Sequence, residues 1–185
     1  FYEHRNSKKF DFFKETKEWS GEKIENKNIV VFNEQGLGDS IQFSKYLIPL
    51  CKIAKKVTFV TKDSIKSLFN NELENLTIET IESCKNKKFD LKIALGSLIK
   101  FFFEKKFSKN ENLIISNKDL DLKWKKKIPQ DKLNIGISWS GSFNGPNEPY
   151  RSIPLQKLEK LFSLDVNFYC LQNEIWDRDL DYFKS

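Results

Sequence analysis

The chain has 185 residues, of which 39% are hydrophobic and 14% aromatic. This composition excludes intrinsic disorder and allows a core without disulfide or metal support. No apolar run approaches the roughly 20 residues of a membrane-spanning helix, which excludes a transmembrane protein. The formal net charge is +6, from 29 Lys and only three Arg, and so little Arg disfavours a nucleic-acid-binding protein. The chain has no Met and begins at Phe1, which predicts an interior piece of a longer protein.

The lysines and cysteines each leave two interpretations. Scattered Lys is typical of a solvated surface, and the alternative is a surface for an acidic partner. Cys51, Cys84 and Cys170 lie far apart and His4, predicted at the surface, is the sole histidine, so no zinc template fits. We predict no metal site and expect buried, reduced thiols in a cytoplasmic protein.

Residues 1–26 are polar with interspersed aromatics, which predicts a helix end followed by an irregular connector. Short β-branched apolar runs then alternate with helical spacing, the pattern of βαβ units and a mainly parallel sheet. The predicted strands are 28–33, 56–61, 77–81, 89–94, 133–138 and 166–171, with a strand or extended piece at 112–116. The predicted helices are 41–54, 63–69, 97–103, 119–127 and 154–162.

The strand pattern restarts near residue 132, which predicts a second Rossmann-like domain. We therefore expect a connector at 1–26, a complete N-terminal domain at 27–130 and the start of a truncated C-terminal domain at 131–185. The predicted fold class is α/β with Rossmann-like parallel sheets.

The motif at residues 34–40, EQGLGDS, follows a predicted strand and opens a helix. In an open α/β sheet, ligands bind at this edge. Gly36 and Gly38 permit a tight turn and close backbone approach. Asp39 is either a helix cap or a carboxylate that accepts a proton from a bound hydroxyl. Ile41 stands where a dinucleotide fingerprint needs its third glycine, and no Walker sequence follows.

Residues 136–142, GISWSGS, also follow a strand, and small residues there free N–H groups and hydroxyls for a phosphate. Arg151 precedes the next helix and its planar fork suits the same anion. The alternative is a flexible surface loop with Ser152 as a helix cap. Gln172, after the last strand, is either a partner for a sugar or base or a plain loop amide.

Near the C-terminal end of the sequence, Asp177, Asp179 and Asp181 predict an exposed helix rather than a metal site. They lack the turn glycine and terminal Glu of a calcium loop.

Three strings, VFNEQGLGDSIQFSKYL, GISWSGS and RSIPLQKLEKLF, occur in this order. Together they resemble the glycosyltransferase domain that follows tetratricopeptide repeats in many bacterial proteins, a domain similar to the heptosyltransferases of glycosyltransferase family 9. The resemblance extends from about Trp19 to Gln172. It implies a GT-B fold, in which two Rossmann-like domains face each other, and it makes residues 1–26 the end of a repeat module.

The resemblance also implies roles for individual residues. Asp39 matches the Gly-Asp that supplies the catalytic base. The implied acceptor-side loop comprises Glu34, Gln35, Gly36, Gly38 and Gln42. The implied donor or phosphate-binding residues are Ser138, Ser140, Gly141, Arg151 and Gln172. The family's donor site continues beyond the stretch matched here, so this piece alone is expected to be inactive.

The implied activity is inverting, metal-independent sugar transfer with no cofactor and a nucleotide sugar as co-substrate. The implied acceptor is a glycan, a lipid-linked molecule or a protein, with peripheral membrane contact as one possibility. The alternative function is a non-catalytic scaffold that binds glycans or proteins. A nicotinamide oxidoreductase is disfavoured because the third glycine of the fingerprint is absent. The acidic residue that binds the ribose of the dinucleotide, usually about 20 residues further along the chain, would be Asp63 or is absent.

Overall fold

The computed structural model describes residues 13–69, 73–108, 111–114, 116–141 and 150–184. The chain divides into two compact units, Phe1–Ser116 and Asn117–Ser185. The helix that begins at Lys118, placed in the first domain by the sequence analysis, therefore belongs to the second unit. His4 and residues 142–149, which include the last residue of the GISWSGS motif, lie outside the described residues.

The first unit contains a four-stranded parallel sheet with the strand order β3-β2-β1-β4. The strands are β1 (Asn28–Phe32), β2 (Lys56–Val60), β3 (Leu76–Glu79) and β4 (Leu91–Ala94). Ile29 pairs with Val57 on one side and with Leu91 on the other. Because β1 is central, Ile29, Val30 and Val31 are fully buried, which explains the unbroken β-branched run. The parallel order confirms the predicted Rossmann-like α/β class.

Helices of the first unit connect these strands and cover the sheet. They are α1 (Leu37–Phe43), α2 (Leu47–Cys51), α3 (Asp63–Lys66), α4 (Ile81–Cys84) and α5 (Ile99–Phe102), with 3-10 turns at Ser44–Tyr46 and Leu95–Leu98. The run from α1 to α2 buries Phe43, Leu47 and Leu50 in the main core. At 112–116 the described residues show one antiparallel bridge, between Ile114 and Phe69.

Residues 13–26, predicted as a connector, are irregular but pack into the first unit. Trp19 and Ile24 are buried in its main core, and the Trp19 ring centroid lies 4.3 Å from that of Phe101. The backbone N–H of Trp19 donates to the Lys92 carbonyl at 2.9 Å, and Glu18 forms a parallel β-bridge with Lys92. This segment therefore extends the edge of the sheet beyond β4.

The second unit contains two parallel strands, β5 (Asn134–Ile137) and β6 (Asn167–Cys170). Its helices are α6 (Lys118–Lys127), α7 (Glu159–Phe162) and α8 (Asp177–Lys184), with a 3-10 turn at Leu155–Leu158. The Asn117 side chain caps α6 by accepting from the Asp119 and Leu120 N–H groups. The helix ends at Lys127, and the extended cap residue Ile128 then precedes Pro129, as predicted.

Within the described ranges, no helix is long and apolar enough to cross a membrane. The same residues hold no group of three or more His, Cys, Asp or Glu side chains arranged to bind a metal ion.

The prediction that all three thiols are buried is wrong for Cys170. Cys51 and Cys84 are buried, whereas Cys170, the last residue of β6, is exposed. Burial raises the pKa of the Cys51 thiol to about 12, from an ordinary value of 9.0.

We therefore expect iodoacetamide at pH 8 to label Cys170 rapidly and the other two thiols only after unfolding. Mass spectrometry of the native and urea-unfolded protein measures this directly. Rapid labelling of Cys51 in the native protein would contradict the packing of α2 against the sheet.

Candidate functional site

The turn after β1 brings the first predicted motif to the carboxyl edge of the sheet. Asn33 is buried, and its side chain accepts from the Gln35 N–H at 3.1 Å and donates to the Gln35 carbonyl at 3.3 Å. Gln35 is half-buried beside it, as is Glu34. Gly36, Gly38 and Gln42 are exposed. The asparagine therefore fixes the path of the chain into α1.

Asp39 is the third residue of α1 and has a clear local role. Its Oδ2 accepts the Gly36 N–H at 3.1 Å, while the Gly36 carbonyl accepts the Ser40 N–H at 3.2 Å. A carboxylate here stabilises the helix start, where N–H groups lack intrahelical partners. Among the described residues, the Asp39 Oδ1 oxygen has no hydrogen-bond donor. One oxygen thus positions the side chain and the other is available to a ligand.

The two glycines of this turn, Gly36 and Gly38, differ in whether the space around them could hold a side chain. A Cβ at residue 36 would lie 3.2 Å from Asp39 Oδ2, so Gly36 allows the carboxylate to reach the backbone. A Cβ at Gly38 would meet nothing within 4 Å. Gly38 lies inside α1, where glycine is unfavourable compared with alanine by roughly 0.5–1 kcal/mol. Packing therefore gives no reason for glycine at position 38.

We expect Gly38→Ala to raise the free energy of unfolding by about 0.4–1 kcal/mol, because it reduces the freedom of the unfolded chain. If a ligand approaches the backbone here, the same substitution lowers ligand affinity. Urea unfolding measures the first effect and calorimetric titration the second. A destabilised variant would contradict the open space at Gly38.

A cavity of about 320 Å³ lies at the ends of β1, β2 and β3. Three strand ends meet there because the Asn33 N–H donates to the Val60 carbonyl and the Thr61 N–H to the Glu79 carbonyl. Of the predicted acceptor-side residues, only Gln35 is in its lining. Asp39 is not part of this lining.

In the second unit, Gln172 organises the turn after β5. Its Oε1 accepts from the Ser138 hydroxyl at 2.9 Å and from the Trp139 N–H at 3.1 Å. Its Nε2 donates to the Ser140 carbonyl at 2.9 Å and to the Ser140 hydroxyl at 2.5 Å. The Gly141 N–H donates to the Ser152 hydroxyl at 3.3 Å. Four of the five predicted donor-side residues are therefore adjacent.

A cavity of about 280 Å³ borders this turn at the carboxyl ends of β5 and β6. Its lining residues are Ser138, Gly141, Leu171, Gln172, Asn173 and Glu174. Arg151, the fifth predicted donor-side residue, is exposed and directly precedes Ser152. The Arg151 side chain is not part of the described lining.

The predicted surface position of Asp179 is wrong. It is 2% exposed instead of lying on the surface. Its Oδ1 accepts the Leu155 N–H at 2.9 Å, and its Oδ2 accepts the Trp139 Nε1–H at 3.1 Å. Asp179 therefore joins α8 to both ends of the segment between β5 and the 3-10 turn.

The burial of Asp179 is indicated in the sequence by the helical spacing of the aromatic residues around it. Trp176 precedes Asp179 by three positions, and Tyr182 and Phe183 follow it by three and four, so all four residues share one face. The Trp139 ring lies 6.2 Å from that of Phe183. A carboxylate on an aromatic face predicts a buried hydrogen-bonded group.

Comparisons with protein-family models, with curated proteins and with solved structures gave no match. The two parallel α/β units and their cavities are therefore the basis for a functional assignment.

Proposed function

We propose that the protein is an inverting, metal-independent glycosyltransferase of the GT-B type. The observation that supports this most is the turn Ser138–Gly141, which carries the Ser140 hydroxyl and lies beside a polar cavity at the carboxyl ends of parallel strands. Such turns suit a diphosphate. The first unit has its own cavity at the equivalent edge, and a transfer reaction needs sites for two substrates.

In this proposal Asp39 removes the proton from an acceptor hydroxyl. The acceptor oxygen then forms a bond to the anomeric carbon of the donor sugar, and the bond from that carbon to the diphosphate oxygen breaks. The nucleoside diphosphate leaves with the electron pair. The Ser140 hydroxyl, which accepts from Gln172 and keeps its own proton to donate, stabilises its charge together with the Arg151 guanidinium.

Gln172 has a more specific role than a direct ligand contact. Both ends of its amide are engaged by Ser138, Trp139 and Ser140. Gln172 therefore holds the donor loop in shape, and we assign it as a positioning residue.

Donor binding tests the proposal by isothermal titration of nucleoside diphosphates into the protein. We expect one of them to bind, and Arg151→Ala to weaken its affinity about 10- to 100-fold, because a charge-assisted bidentate contact is lost. Lys157→Ala removes a nearby exposed cation and is the matched control. Equal weakening in both variants would indicate a general charge effect and contradict the role of Arg151.

A second candidate function is the non-catalytic scaffold, which a lysine-lined cavity in the first unit favours. This cavity has a volume of about 650 Å³ and a mostly polar lining. Its lysines are Lys14, Lys17, Lys85, Lys87 and Lys88, against the carboxylates of Glu15 and Asp90. The scaffold predicts that heparin binds, that binding weakens steeply with salt, and that Asp39→Asn leaves it unchanged.

A further inference from the structure

Thr61, the first residue after β2, has a buried hydroxyl with no hydrogen-bond partner in the described parts of the chain. Thr61 as a whole is 5% exposed, and its backbone N–H donates to the Glu79 carbonyl. Buried hydroxyls in native proteins are usually hydrogen-bonded, so an unpartnered one calls for a specific reason. Thr61 is also in the lining of the 320 Å³ cavity, and rotation of its side chain about the Cα–Cβ bond brings the buried hydroxyl to a bound molecule that supplies the missing partner.

The cavity has the size and construction of a small-molecule site. Phe32, Val60 and Glu79 end neighbouring strands in register, and the loops that follow these strands surround the cavity. Its volume falls in the range of about 300–1,000 Å³ that is usual for ligand sites. Phe32 and Val60 are buried and, with Ile81, provide apolar walls.

The charges around the cavity disfavour an anion. Lys62 is the cation in the lining, and the carboxylates of Asp63 and Glu82 accompany it. The nearby Glu79 carboxylate is paired with Lys87 at 2.6 Å. Carboxylates accept hydrogen bonds from hydroxyls and repel phosphates. An apolar wall with hydrogen-bonding groups on its rim suits a molecule with one C–H face and several hydroxyls.

We propose that this cavity binds a neutral sugar ring, with the Thr61 hydroxyl as a hydrogen-bond partner of one ring substituent. The ring packs its C–H face on Phe32 and Ile81 and donates its hydroxyls to Asp63 and Glu82. The proposal rests on the proposed function in one respect: it assigns the bound ring to the acceptor, as a neutral rather than a phosphorylated sugar, with Asp39 outside the lining of the cavity.

The test is binding of glucose, galactose, mannose and N-acetylglucosamine, with glucose 6-phosphate and mannose 6-phosphate as charged counterparts. Saturation-transfer NMR and calorimetry measure binding to the protein without any donor. We expect at least one neutral sugar to bind and the phosphates to bind more weakly. Absence of binding by every neutral sugar, or tighter binding of the phosphates, would overturn the proposal.

Variants of Thr61 separate binding from folding by effects of opposite sign. Thr61→Val replaces the hydroxyl with a methyl group of similar size, so we expect a higher midpoint of thermal unfolding and about tenfold weaker sugar binding. Thr61→Ser keeps the hydroxyl and is expected to retain binding. Thr58→Val alters a buried threonine of β2 outside the lining and serves as the control. Unchanged affinity in Thr61→Val would refute the role of the hydroxyl.

The outcomes for the cavity and for the enzyme are distinguishable. Sugar binding without transfer from any nucleotide sugar leaves the cavity assignment intact and refutes the transferase. If the protein binds no neutral sugar but has transfer activity that Thr61→Val does not change, the cavity assignment is refuted and the transferase is left intact.

Discussion

Replacing Asp39 with Asn is expected to lower the rate of sugar transfer about 10²–10⁴-fold, the usual contribution of a general base. Asparagine has nearly the same shape but cannot take a proton from the acceptor. Its Oδ1 can still accept the Gly36 N–H, so the start of α1 is retained. Turnover of the full-length variant, measured by release of nucleoside diphosphate at saturating donor, gives the size of the effect.

Asp119→Asn is the matched control for this experiment. Asp119 is an exposed carboxylate in the first turn of α6, and neither cavity includes it. We expect its variant to keep the wild-type rate, and both variants to unfold within about 1 kcal/mol of the wild type. A fully active Asp39→Asn protein would refute the assignment of the base.

Replacing Asp179 with Ala is expected to destabilise the second unit by about 2–6 kcal/mol. The substitution leaves the Leu155 N–H and the Trp139 indole N–H buried without an acceptor, and each such group costs about 1–3 kcal/mol. Hydrogen exchange followed by mass spectrometry measures this effect in each unit separately. We expect faster exchange around β5 and the 3-10 turn at Leu155–Leu158, and unchanged exchange around β1.

Asp177→Ala is the control, because Asp177 is an exposed carboxylate on the same helix and such substitutions usually change stability by less than about 0.5 kcal/mol. Asp179→Asn keeps one oxygen acceptor and is expected to give an intermediate loss. If Asp179→Ala were no more destabilising than Asp177→Ala, the buried carboxylate would not be the element that joins α8 to the loop.

The sequence predicted the strands because their composition depends on local chemistry. Residues such as Ile29, Val30 and Val31 fit a buried parallel strand better than any other short element. The connector at 13–26 was predicted less fully, because its packing depends on the distant Phe101 and Lys92. Irregular segments have no periodicity from which burial can be inferred.

For the candidate sites, the sequence located the turns but not the partners of their side chains. Asp39 and Ser138 follow strands, and the carboxyl ends of parallel strands are predictable places for ligands. The use of both ends of the Gln172 amide by one turn depends on the pairing of β5 with β6. The buried Thr61 hydroxyl is likewise visible only when β1, β2 and β3 are in register.

The most direct test of the transferase is to incubate the full-length protein with a panel of nucleotide sugars and candidate acceptors and to follow release of nucleoside diphosphate. The proposed function predicts release from one donor, dependent on an acceptor and strongly reduced in Asp39→Asn. No release from any donor, with heparin bound equally by wild type and Asp39→Asn in a salt-dependent way, would contradict the transferase and support the scaffold.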